Sequence, residues 1–88
     1  MQNIENELLK ETNKMLAKLE NEMQHIQFDK SNKALHEEIE NIKAYISDCR
    51  HFLDKSDLVK AFEAIVFAWG IYETLLSMHL IHNSKMSP

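Results

Sequence analysis

The sequence predicts an all-α fold: a three-helix up-down-up antiparallel bundle, one domain spanning 1–88. Three observations carry this. Gly70 and Pro88 are the only glycine and proline among 88 residues, so tight turns must be few. Apolar side chains recur at spacings of three and four in three separate stretches, the mark of amphipathic helices. The runs between those stretches are short and polar, and short connections make antiparallel neighbours.

The first helix is expected over 3–27. Ile4, Leu8, Met15, Leu19, Met23 and Ile26 lie on one face, with Thr12 filling a gap. The second is expected over 31–54, with Asp29 or Ser31 as the capping residue. A short polar side chain there accepts a bond from a free N–H of the first turn. Its face reads Leu35, Ile39, Ile42, Ile46, Cys49 and Leu53, the most regular pattern in the chain. Asp54-Lys55-Ser56-Asp57 breaks it, and the turn calls for a left-handed residue at Ser56. The third helix is expected over 57–82, capped by Asp57, with Leu58, Phe62, Ile65, Trp69, Tyr72 and Leu76 inward. The tail 83–88 is expected to fray.

Composition excludes several classes. The net charge is -4, from 14 acidic and 10 basic side chains. They interleave as on a solvated helix surface, without the clustered Lys and Arg that release counterions from a polyanion. No nucleic acid is expected as a partner. The apolar stretch from Leu58 to Ile81 is interrupted by Lys60, Glu63 and Glu73, so no membrane span is expected. The N-terminus lacks the basic and apolar regions of a signal peptide. With Cys49 the sole cysteine, no internal disulfide forms, and a cytoplasmic location is expected.

Tyr45-x-x-Asp48, His51-Phe52-Leu53, Asp57-x-Val59-x-Ala61-Phe62 and Ala68-x-Gly70 together resemble an archaeal family, domain of unknown function 357. The resemblance covers 45 to about 81. It implies a compact helical bundle and assigns no activity. Three positions depart from the family pattern: Ser56 stands where Gly is common, Phe67 where Tyr is common, and Glu73 where Asp is common. Ala61, Ala68 and Gly70 suit close helix approach, and Tyr45 and Asp48 share one helix face.

Catalytic constellations are missing. One glycine cannot make a phosphate loop, and no G-x-S-x-G elbow occurs. Cys49 lies on the apolar seam of the second helix, as a small buried thiol does. We therefore expect no enzyme and no cofactor. The histidines offer one alternative. Glu22 and His25, His36, and His79 and His82 fall near one pole of an up-down-up bundle. Two of these pairs have the i, i+3 spacing that helical metal sites use. Histidines at helix ends more often face water and interact with the dipole, so these are weak metal candidates. The stronger feature is a second apolar stripe on the third helix: Ala64, Phe67, Ile71 and Met78. A bundle helix is normally polar there. The expectation is an interaction or assembly module, forming a homodimer or binding a protein partner, with a metal- or ligand-binding protein as the alternative.

Overall fold

A computed structural model of the chain describes residues 3–86. Three helices dominate it: α1 (Ile4–Met23), α2 (Lys33–Asp54) and α3 (Leu58–Ser77). Two short strands, β1 (Ile26–Phe28) and β2 (Ile81–Asn83), follow α1 and α3, and a 3-10 turn covers Ser84–Met86. The fold is the expected all-α three-helix arrangement, elongated to 48 × 27 × 18 Å. α3 is the central helix, packed along α2 and carrying α1.

Each helix starts at a short polar side chain that accepts first-turn N–H bonds. Asn3 receives Glu5 N–H at 2.9 Å. Asp57 receives Lys60 N–H at 3.2 Å, as the sequence indicates. For α2 the cap is Asn32, which accepts from Leu35 N–H at 3.1 Å, rather than Asp29 or Ser31. Asp29 is already engaged one turn earlier, accepting from the Ser31 amide at 3.0 Å and its hydroxyl at 2.6 Å.

α2 and α3 end in the same way. Ser56 and His79 both take left-handed backbone angles, φ 59° and 60°. Ser56 N–H donates to Leu53 at 3.0 Å and Asp57 N–H to Phe52 at 2.8 Å; His79 N–H donates to Leu76 at 3.1 Å and Leu80 N–H to Leu75 at 3.0 Å. These are paired Schellman bonds, which satisfy the last helical carbonyls. The second of them stops α3 at Ser77, well before the expected residue 82.

Both of the longer helices predicted for this pole are thus corrected. Residues 26–28 leave α1 and pair antiparallel with 81–83, Ile26 opposite Asn83 and Phe28 opposite Ile81. β-branched and aromatic residues favour the extended state. The tail does not fray at its start either. Asn83 is buried, 1% exposed, and Ser84 N–H donates to His25 at 2.9 Å. Residues 87 and 88 lie outside the described part.

The α2 seam is as expected: Leu35, Ile39, Ile42 and Cys49 are buried, with Ile46 and Leu53 half-buried. On α1 the buried set is Thr12, Leu16 and Leu19, while Ile4 is 79% exposed. Buried Thr12 satisfies its hydroxyl on Leu8 O at 2.7 Å. On α3 the inner face is rotated from the expected one. Ala61, Ala64, Ile65, Ala68, Tyr72 and Leu75 are buried, and Leu58, Phe62, Trp69 and Leu76 only partly so. A helix held between two others needs small residues at the contacts, hence the alanines. Trp69 reaches across to α1, its indole N–H donating to Met15 O at 3.0 Å.

A polar lock joins α1, α3 and β2. Asn83 Nδ2 donates to Tyr72 Oη at 3.0 Å and to the Glu22 carboxylate, and Tyr72 Oη donates to Glu22 Oε2 at 3.3 Å. Burial pushes the Tyr72 hydroxyl above its ordinary pKa, the Glu22 charge adds to the rise, and the Asn83 bond opposes it. Among the described residues no buried side-chain polar atom lacks a partner, as a well-folded interior requires.

Candidate functional site

α1 covers one side of the α2–α3 hairpin and leaves the other side open. Two grooves run along that open side and meet at Phe67. The first, of about 480 Å³, is lined by Glu38, Val66, Phe67, Gly70, Ile71 and Thr74. The second, of about 240 Å³, is lined by Tyr45, Asp48, Phe52, Lys60, Glu63 and Phe67, with Ala64 at its base. Phe67 is 59% exposed and Val66 41%. Tyr45 braces Phe67 from α2, their ring centroids 5.6 Å apart.

The open face therefore unites two sets of residues read separately from the sequence. Tyr45 and Asp48, from the family motif, share a groove with Ala64 and Phe67 of the apolar stripe. The stripe itself lies partly off the face. Ala64 is buried, Ile71 is half-buried, and Met78 stands exposed at the α3 cap beyond both grooves. The exposed line instead runs Val59, Glu63, Val66 and Gly70. Its four-three-four spacing was visible in sequence, but the glutamate and glycine mask its apolar character.

Gly70 is reassigned. A Cβ built there meets nothing within 4 Å, so no neighbouring helix of this chain explains the glycine. Ala61 and Ala68, by contrast, are fully buried and do serve close packing. Asp57 and Phe62 remain structural, as cap and partly buried packing residue.

The electrostatics of the face are one-sided. Glu38, Asp48 and Glu63 line the grooves against a single cation, Lys60. Lys60 already sits 3.9 Å from Asp57 Oδ2 and over the Phe52 ring, 5.8 Å from its centroid.

The histidine pole does not assemble. Glu22 is held by Tyr72 and Asn83. His36 lines a separate cleft with Lys30 and Lys43, while His79 and His82 are exposed and His25 half-exposed. Among the described residues no three His, Cys, Asp or Glu side chains converge on a point a metal ion could occupy. Cys49 is fully buried. Burial raises its thiol pKa and Glu20 adds to the rise, against a smaller opposing effect of Arg50; that is the reverse of what a nucleophilic thiolate needs. Among the described residues no helix is long and apolar enough to cross a membrane.

The chain matches, over residues 9–81, the family described as a protein of unknown function, DUF357. The match takes in most of α1, beyond the 45–81 segment that carries the motif. No curated protein matches. The crystal structure of protein AF1782 from Archaeoglobus fulgidus, itself a DUF357 protein, is similar at 40% identity. It covers 93% of this chain and 100% of the other, with a TM-score of 0.82. Matched in sequence from α1 to β2 and in fold over almost its whole length, this chain belongs to the DUF357 family.

Proposed function

We propose that this chain is a non-catalytic protein-interaction module acting through the open face of the α2–α3 hairpin. One observation carries the reading: Phe67 leaves 59% of its surface in water beside an open glycine. Burying a side chain of that size is worth roughly 1.5–3 kcal/mol. A cluster of such residues on one helix face is characteristic of contact surfaces. The raised pKa and burial of Cys49 support a role without covalent chemistry. Self-association into a symmetric dimer is one form of the activity; docking of another protein is the other.

The test compares the wild type with Phe67→Glu in two measurements. Sedimentation over a concentration series reads self-association. Affinity capture from native lysate reads other partners. The expected result is a complex that Phe67→Glu removes while the helical circular dichroism signal is retained. A complex indifferent to Phe67→Glu, or none in either measurement, overturns the proposal.

A further inference from the structure

The charge on the open face narrows the occupant. We infer that the α2–α3 face takes a cationic amphipathic helix from another protein, a deduction that rests on the interaction reading above. The floor is apolar, with Val66 and Phe67 exposed and Gly70 leaving room for close approach. The rim is acidic, with Glu38 beside one groove and Asp48 and Glu63 beside the other. The one lysine of the rim is occupied by Asp57 and Phe52. An apolar trough flanked by carboxylates is matched by a helix with an apolar stripe and Lys or Arg on either side. α3 is 20 residues long, which gives the trough a length of about 30 Å. That accommodates some five turns of a partner helix. A second copy is the poorer match, because a symmetric pairing sets the same carboxylates against one another, and like charges at close range oppose association.

The probe is a synthetic Leu/Lys amphipathic peptide of about 18 residues, near 27 Å as a helix, followed by fluorescence anisotropy at low salt. Its Leu/Glu counterpart is the charge control. The wild type should bind the Leu/Lys peptide and not the Leu/Glu peptide. Glu38→Lys with Glu63→Lys should weaken binding by about tenfold or more, as expected for two opposed charge pairs at short range. Glu7→Lys with Glu11→Lys, an equal change of net charge on exposed positions of α1, should leave binding within about twofold once the far charges are screened. Gly70→Leu should block the trough. A Cβ at Gly70 meets nothing within 4 Å, and circular dichroism checks that the fold accepts the larger side chain.

Equal losses from the α1 and the groove reversals would mean attraction by net charge alone and would overturn the inference. So would undiminished binding to Gly70→Leu, or equal binding of the Leu/Glu peptide. If the Leu/Lys peptide fails to bind while the protein dimerises in a Phe67-dependent way, the occupant is a second copy. The interaction module then stands and the cationic partner falls. If neither peptide binding nor any Phe67-dependent complex is found, both readings fall together.

Discussion

On the side of α3 turned toward its neighbours stand Ala61, Ala64, Ile65, Ala68, Tyr72 and Leu75, all buried. On the side turned to solvent stand Val59, Val66 and Phe67, all exposed. Three of the six inner residues are alanine, while the outer side carries a phenylalanine and two valines. Hydrophobicity alone would have placed the valines and Phe67 inside ahead of the alanines. The inner side is selected for thinness, because α3 must fit between α1 and α2. The outer side is under no such limit within this chain. Large apolar residues fit there without crowding a neighbouring helix.

Ala68→Leu tests the thin side and carries the largest effect. The site is fully buried, and overpacking of this kind costs about 1–3 kcal/mol. Urea denaturation should show that loss, whereas Val66→Leu on the outer side should stay within about 0.5 kcal/mol. Equal effects at the two positions would erase the distinction between the faces.

Tyr72→Phe tests the polar part of the inner side. It removes the hydroxyl shared with Asn83 and Glu22, at a cost of about 1–3 kcal/mol. The pH dependence gives a second readout. The folded-state pKa of Tyr72 is raised above its ordinary value of 10.0. Its contribution is therefore complete below pH 10 and is lost as pH rises through the higher folded value. Tyr72→Phe should be less sensitive to that alkaline loss than the wild type.

Gly70→Ala should raise stability by about 1 kcal/mol, the usual helix-interior difference, because the added methyl group meets nothing. A loss instead would reveal an unseen neighbour on the outer side. Smallest is Ser56→Gly, expected to gain up to about 1 kcal/mol by relieving a left-handed φ of 59°. Since Asp57 and not Ser56 caps α3, no helix cap is lost in the exchange. Thermal melting reads both.

The helices were legible because their signals are repetitive. The α2 seam from Leu35 to Cys49 has one residue on the core side every three or four positions, and each reinforces the others. Asp57 was legible because capping is local. What escaped was non-local. Ile26-Gln27-Phe28 is too short to announce a strand, and its partner lies beyond two entire helices. Asn83 looks like a polar tail residue until Tyr72 and Glu22 are placed around it. The rotation of α3 was hidden for a related reason: Ala and Phe both count as apolar, and only the closeness of α1 and α2 decides which one faces inward. At the open face the residue types were visible, but Tyr45 and Phe67 meet only across the hairpin.

The pairing of Ile26 with Asn83 turns the α2–α3 hairpin into a closed ring. Ring closure across so much chain is entropically costly and becomes favourable only once both helices are docked. The strands should thus be the last part to form and the first to open. In native-state hydrogen exchange, the paired amides of β1 and β2 should be released in one sub-global opening, of lower free energy than the exchange of the α2 and α3 interior. That opening separates Asn83 from Glu22 and Tyr72, while the Trp69 bond to Met15 O and the buried Leu16 and Leu19 still hold α1 on α3. The segment that follows α1 and the segment that follows α3 are thus energetically a single unit, although two whole helices separate them in sequence.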